Sequence, residues 1–258
     1  MLNYIFSALL VLPSLFQFFG QNTTPVFVKD YDIWVDAPEC NTAKNTAWLT
    51  QTEQKIVREI NMVRTNPQRY IRYVEEYRDL LQQPAPKQIA LVRTRYTYDS
   101  WGNEIPLGQD TTYAEAQVNA HISADRLQEL ADIEELISEL RRTKPEKLLQ
   151  PSSCLTEAAR DQGFFCKEQG RLTHDGRNGK EFDVRLQNAC GEMNYGGETI
   201  AGGAGSARQT VLNWLIDCGL KTRNHRKILL DPNTSRIGIF YVGKVGDLRN
   251  SWVCDFAE

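Results

Sequence analysis

Residues 197–203 read Gly-Glu-Thr-Ile-Ala-Gly-Gly, and residues 224–232 read Asn-His-Arg-Lys-Ile-Leu-Leu-Asp-Pro. The first stretch is a short β-like run between glycines, which let another backbone approach closely. In the second stretch, a histidine opens a turn of helix. Glu198 and His225 are therefore reactive side chains that lie in ordered segments, and they are the first candidates for a site.

Two more side chains belong with them. His174 lies in Leu-Thr-His-Asp-Gly at residues 172–176, after a predicted helix has ended. Asp217 ends a helix that carries Trp214, and Ser206 is the predicted cap of that helix. Considered alone, two histidines and two acids can equally well be helix caps and surface pairs, so a purely structural role stays open.

Apolar periodicity and turn residues predict helices for most of the chain and strands mainly near its end. Thr50 and Glu53 form a capping-box pattern, and Asn66-Pro67 marks the start of a second helix. Further predicted elements are helices over 113–142, 154–169 and 206–218, strands over 236–242 and 251–254, a short strand over 89–92 and a turn at 101–103. Together they predict an α+β layer arrangement.

In order and surroundings these segments resemble the CAP superfamily (cysteine-rich secretory protein, antigen 5, pathogenesis-related; also SCP-like), and most closely its bacterial secreted branch. Residues 197–203 are similar to the family's Gly-Glu-Asn-Ile/Leu-Ala-x-Gly, with Thr199 in place of Asn. Residues 224–232 are similar to its Gly-His-Arg-x-Asn-Ile-Leu-x-Pro block, and residues 214–217 match its Trp-x-x-acid helix end. The helix at 53–65 is similar to the family's first helix.

The resemblance implies a CAP domain over residues 49–258 with an insertion at about 83–144. Its fold is a three-layer α-β-α sandwich around a small antiparallel sheet, here elaborated by a helical insertion. It also implies a cleft that holds His174, Glu198, Asp217 and His225. Two imidazoles with carboxylates suit a weak divalent-metal site, such as one for zinc, with solvent completing the shell.

By the same resemblance, the leading hypothesis is a secreted, non-enzymatic protein that binds a small hydrophobic ligand, cell-wall material or a partner protein. One alternative is a hydrolase, acting on protein or cell wall, that uses Glu198 with His174 or His225. Another is an adhesion or interaction module that acts through the insertion. The sequence has no His-Glu-x-x-His pair, no Gly-x-Ser-x-Gly elbow and no phosphate-binding glycine loop. It therefore lacks the signature motifs of zincin metalloproteases, α/β-hydrolases and P-loop proteins.

Composition and the first residues predict the compartment. With 33 acidic and 30 basic side chains among 258 residues, the net charge is −3, which argues against a nucleic-acid-binding protein. Residues 1–20 carry no charge and predict a signal peptide, with an uncleaved anchor as the alternative. Residues 21–48 are expected to form an extended segment, and no second membrane span is predicted. Six cysteines without a Cys-x-x-Cys pair favour disulfides of undetermined pairing, with buried thiols as the alternative.

Overall fold

The computed structural model describes residues 37–82, 87–98, 104–116, 124–193, 195–203 and 206–258. The predicted signal peptide (1–20) and the predicted turn at 101–103 lie outside these ranges. Of the predicted extended segment, only the part from residue 37 onward is described. That part is a 3₁₀ turn, Pro38–Cys40, followed by further turns. Cys40 and Ala43 are buried in it, so this part packs against the domain instead of forming an extended leader.

Inside the predicted insertion lies a long antiparallel hairpin, which forms a compact unit of its own. Its strands are β1 (Lys87–Tyr98) and β2 (Glu104–Ala116), with a register irregularity after Arg95. The prediction of helix from Tyr113 onward was therefore wrong up to Ala116, and the helical character of the insertion is only partial. Threonine and tyrosine occur in both strands, and these residue types favour extended structure.

The second unit contains seven α-helices and four strands among its described residues. The helices are α1 (Gln51–Thr65), α2 (Pro67–Gln82), α3 (Ala124–Leu140), α4 (Ser153–Gln169), α5 (Phe182–Cys190), α6 (Ala207–Ile216) and α7 (Asn224–Leu229). The strands are β3 (Gln150–Pro151), β4 (Gly196–Gly202), β5 (Arg236–Val245) and β6 (Leu248–Ala257). They form one sheet in the order β3-β5-β6-β4, in which β6 is antiparallel to both β4 and β5.

Helices cover both faces of this sheet. On one face, α4 approaches β5 so closely that a Cβ on Gly238 would lie 2.1 Å from the carbonyl carbon of Leu155. On the opposite face, Ile228 of α7 packs against Gly197, where a Cβ would lie 3.3 Å from its side chain. Because side chains alternate along a strand, Gly197 and Glu198 face opposite layers. The architecture is the predicted three-layer α-β-α sandwich.

The helix starts predicted from capping residues are confirmed. Thr50 and Glu53 form the capping box of α1, with the Glu53 backbone N–H donating to the Thr50 hydroxyl at 3.3 Å. Asn66 accepts from the Arg69 N–H at 3.1 Å at the start of α2, and Ser206 accepts from the N–H of the third residue of α6. Each cap satisfies a backbone donor that the first turn of a helix leaves open.

A buried arginine links α1 to the end of α7. The side chain of Arg64 is fully buried, and its guanidinium donates to backbone carbonyl groups. The acceptors are the carbonyl oxygens of Lys147, Leu229, Asp231 and Thr234, at 2.8 to 3.0 Å. Because two of them lie just beyond α7 and a third ends it, Arg64 fixes the segment that carries His225.

Part of the predicted insertion at 83–144 belongs to the core of the second unit. Ile133, Leu136 and Leu140 of α3 have no exposed surface. Such burial of one apolar stripe is what keeps a helix of this length in place. Only the hairpin forms a unit separate from this core.

One disulfide joins Cys154 to Cys190, at the start of α4 and the end of α5. The other four cysteines are free thiols in the structure: Cys40, Cys166 and Cys254 are buried, and Cys218 is partly exposed. The two interpretations of the cysteines thus each hold for part of the set. No helix in the described ranges has the length and apolar character needed to cross a membrane.

Candidate functional site

The centre of the candidate site is a pair formed by His174 and Glu198. The Nδ1 atom of His174 lies 2.7 Å from Oε1 of Glu198. The histidine side chain is 57% exposed, whereas that of the glutamate is fully buried. Glu198 lies on β4 and faces α4, and His174 lies in the loop after α4, so the fold brings a loop residue onto the sheet edge.

Arg185 holds the other oxygen of the same carboxylate. Its Nη2 forms an ion pair with Oε2 of Glu198, and both side chains are buried. Arg185 belongs to α5, so three separate segments meet at this carboxylate. With Arg185 on one oxygen, Glu198 is stabilised as an anion and accepts the Nδ1 hydrogen of His174.

Asp255 is a second buried carboxyl group beside this pair. It is the cross-strand neighbour of Glu198 in the β4–β6 ladder, so both side chains point toward α4. Neither oxygen of Asp255 has a hydrogen-bond partner among the described residues. Burial raises the pKa of Asp255 to about 7, although the charges of Arg185 and His174 oppose the shift. An acid this deep is neutral over most of the acidic range.

The pKa of His174 is shifted in the opposite direction. Desolvation by the surrounding protein atoms lowers it from the ordinary value of 6.5, and the positive charge of Arg185 lowers it further. Asp255 and Asp175 oppose this effect with smaller contributions. The lowered pKa favours the uncharged ring, in which Nδ1 donates to Glu198 and Nε2 carries a lone pair.

The other predicted pair, Asp217 and His225, has the same contact in a different setting. The Nδ1 atom of His225 lies 2.7 Å from Oδ1 of Asp217, and its backbone N–H donates to Oδ2 at 3.1 Å. The side chains are only 15% and 2% exposed. Asp217 ends α6 with φ at 53°, a left-handed conformation that aspartate tolerates better than most residues.

This second pair has a structural task. The N-cap position of α7 is occupied by Arg223, whose side chain makes no capping hydrogen bond. Asp217 supplies the missing acceptor from the end of the preceding helix, because its carboxylate takes the N–H of His225 in the first turn. The open structural interpretation therefore fits Asp217 and His225 well.

The structure thus joins the four predicted residues as two histidine–carboxylate pairs. In both pairs, each carboxylate oxygen already takes part in a hydrogen bond or ion pair. Within the described part of the chain, no group of three or more His, Cys, Asp or Glu side chains is placed to hold a metal ion. The carboxylates face the Nδ1 atoms, which leaves Nε2 of each ring as the nitrogen that could bind an ion, so the metal site stays a prediction.

Sequence reasoning missed Arg185 and Asp255. Arg185 lies on a nine-residue helix that was not predicted, and a single arginine in such a segment looks like a surface residue. Asp255 follows Trp-Val-Cys in the last strand, and the prediction ended that strand at Cys254. A charged residue inside the otherwise apolar run of residues 252–257 was the available signal for Asp255.

The fold and this pair of histidine–carboxylate contacts define a small α-β-α domain with one exposed, carboxylate-backed histidine. Residues 134–256 match the model of the cysteine-rich secretory protein family, CAP. The match covers slightly less than half of the chain and supports the predicted resemblance to the CAP superfamily. The match begins inside α3, so residues 134–144 of the predicted insertion lie within the family's domain, while the hairpin precedes it.

Three solved structures are similar to the chain. An outer surface protein of Borrelia burgdorferi is 19% identical, with a TM-score of 0.37, 50% of this chain covered and 92% of the other. An extracellular SCP-domain protein of Bacillus anthracis is 14% identical, with a TM-score of 0.36 and coverage of 70% and 71%. A cysteine-rich secretory protein of Staphylococcus aureus is 14% identical, with a TM-score of 0.32 and coverage of 69% and 60%. No curated protein sequence matches this chain significantly.

Proposed function

We propose that this chain is an extracellular, non-enzymatic binding protein whose CAP domain presents His174 to its ligand. One observation carries the proposal: the exposed ring of His174 is held through Nδ1 by a carboxylate that has no exposed surface. A histidine needed only for packing would be buried with its partner, as His225 is. The extracellular location agrees with the predicted signal peptide and with the printed descriptions of two similar proteins.

The chemistry of the ring indicates what the ligand must offer. With Nδ1 donating to Glu198, the Nε2 atom of neutral His174 accepts a hydrogen bond. The ligand therefore presents a hydroxyl or amide hydrogen. Cell-wall polymer carries both groups in quantity, so among the predicted ligand classes it is the one we propose to test first.

Sedimentation with insoluble peptidoglycan tests this proposal. We expect His174→Gln to weaken binding by about tenfold, the effect of losing one good hydrogen bond to a ligand. His225→Gln is the matched control, because it changes the same residue type in a pair that is largely buried. If His174→Gln sediments with peptidoglycan as well as the wild type does, His174 is not the contact with this ligand. Equal loss in both variants would indicate a structural effect.

A hydrolase is the second candidate, and the lowered pKa of His174 favours it. A neutral imidazole oriented by a buried carboxylate is the arrangement of a general base. The described residues supply the base and Glu198 as its orienting group, and water would have to be the nucleophile. Purified protein incubated with casein and with peptidoglycan tests this role beside Glu198→Gln and His174→Gln. Turnover that persists in both variants would reject it.

The metal prediction has its own test. Calorimetric titration with zinc compares the wild type with the His174→Ala/His225→Ala double variant. Zinc binding that disappears in the double variant would support the predicted metal site. Equal heats in both proteins would reject it.

A further inference from the structure

The helix that carries Arg185, α5, makes few contacts that would hold it in place. Of the nine residues of α5, only Arg185 and Leu186 are buried. The N-cap residue, Glu181, makes no side-chain capping hydrogen bond. A helix of this length does not hold its shape by propensity alone, so it depends on its tertiary contacts.

The strongest of these contacts is covalent. The last residue of α5, Cys190, is bonded to Cys154 at the second position of α4. The bond closes a loop of 36 residues, which includes both His174 and Arg185. Leu186 packs beside it, together with Leu155, Ala158 and Ala257. Without the bond, one buried leucine and the ion pair with Glu198 would be the main anchors of α5.

We propose that the Cys154–Cys190 disulfide is an exchangeable redox link that holds Arg185 against Glu198 and thereby controls the candidate site. Both cysteines are partly exposed, so a small thiol can reach the bond. The three fully buried thiols, at Cys40, Cys166 and Cys254, have no such access. Any consequence for ligand binding rests on the proposed function, but the link itself can be tested without a ligand.

The surroundings of the two sulfurs give the exchange a direction. Cys154 lies in the first turn of a 17-residue helix, whose N-terminus stabilises a thiolate, and the Ser152 hydroxyl lies 3.3 Å from its sulfur. Cys190 lies at a helix C-terminus, where a thiolate is disfavoured. Since the more stable thiolate is the better leaving group, an attacking thiol should strike Sγ of Cys190 and release Cys154.

The complete exchange needs a dithiol reductant. One of its sulfurs, as thiolate, bonds to Sγ of Cys190 while the Cys154–Cys190 bond breaks and Cys154 leaves with the electron pair, later taking up a proton. The second thiol of the reductant then displaces Cys190 from the mixed disulfide. The reductant ends as its own disulfide, and the protein gains two electrons and two protons as two thiols.

Reduction should release α5 and leave the rest of the domain in place. Dithiothreitol is the probe, and alkylation under native conditions followed by mass measurement counts the thiols formed. Hydrogen exchange then compares the amides of α5 with those of α6, which has no link to the bond. We expect exchange in α5 to become at least about tenfold faster, with α6 unchanged.

The ring of His174 reports on the site itself. The chain has only three histidines, so their ring signals in an NMR spectrum at fixed pH can be assigned with His174→Gln and His225→Gln. Reduction should shift the signals of His174 and spare those of His225. The Cys154→Ala/Cys190→Ala double variant should show the reduced pattern from the start and should not respond to dithiothreitol.

Three results would overturn the proposal. If the bond resists dithiothreitol in the native protein, it is not exchangeable. If the exchange rates in α5 and the His174 signals stay the same after confirmed reduction, the bond does not position Arg185. If hydrogen exchange in α6 also becomes faster, the disulfide stabilises the whole domain and does not act on α5 alone. Failure of peptidoglycan binding in the oxidised protein would count against the proposed function and leave these results unaffected.

Discussion

Replacing Asp255 with asparagine should change how the stability of the protein depends on pH. Asp255 is fully buried, and neither of its oxygens has a partner among the described residues. Its pKa is raised from 3.8 to about 7 in the folded protein. In the unfolded chain the same carboxyl group is exposed to water and ionises near its ordinary pKa.

The sign of the effect follows from proton uptake. Between pH 4 and pH 7 the folded protein keeps a proton on Asp255 that the unfolded chain has lost. The free energy of unfolding therefore falls as the pH rises through this window, and above it the loss is complete. A pKa difference of about 3, at 1.36 kcal/mol per unit, sets an upper limit of about 4 kcal/mol.

Urea unfolding at pH 4 and at pH 8 measures this effect in the wild type and in Asp255→Asn. The asparagine cannot ionise, so the stability of the variant relative to the wild type should rise by up to about 4 kcal/mol between the two pH values. Comparing the two proteins at each pH removes the effect of groups that titrate in both of them. Comparing the two pH values removes any pH-independent change in the free energy of unfolding caused by the amide.

Asp79→Asn is the matched control, because Asp79 is an exposed aspartate on α2. Its stability relative to the wild type should change little with pH. If Asp255→Asn shows a relative change below about 1 kcal/mol between pH 4 and pH 8, the carboxyl group is either hydrated or paired. The description of Asp255 as a buried, unpaired acid would then be wrong.

Four further substitutions, two tests each with a control, examine how the sandwich is held together, and all are measured by urea unfolding. Arg64→Met should cost about 3 to 5 kcal/mol, because it removes the donor from buried carbonyl groups; Arg177→Gln, at a surface ion pair, should leave the free energy of unfolding nearly unchanged. Gly238→Ala should cost more than about 3 kcal/mol, because its Cβ would meet backbone atoms of α4 at 2.1 Å. Gly202→Ala should be tolerated, since its nearest neighbour would be a side chain at 3.5 Å. Equal losses at the two glycines would contradict the close contact between α4 and β5.

Helix starts were predictable because their causes are local. Thr50 with Glu53, Asn66 before Pro67, and Ser206 each satisfy backbone donors within three residues, so the signal is complete in a short stretch of sequence. The end of β6 was not predictable in this way. Asp255 belongs to the strand because of its neighbours in β4 and β5, and the cost of its charge is visible only once it is buried.

The hairpin shows a second reason why prediction from the sequence failed. Residues after Tyr113 fit a helical spacing for a few positions, and the helix α3 does follow, from Ala124. Pairing decides between the two structures: Tyr113 lies opposite Ala90 in the antiparallel ladder. Since a strand is stabilised mainly by its cross-strand partners, the periodicity of one segment does not reveal it.

The two histidine–carboxylate pairs look alike in sequence, yet their energetics differ. Asp217 gains hydrogen bonds that α7 needs, so this pair contributes to stability as well as to the orientation of His225. Glu198 forms an ion pair with Arg185, whereas the neighbouring Asp255 has no hydrogen-bond partner among the described residues. Burying two acids with one arginine costs stability that an apolar core would have supplied. Such a loss of stability is expected where a side chain is kept in a fixed orientation for binding. Here Glu198, with Arg185 and Asp255 beside it, orients the exposed ring of His174.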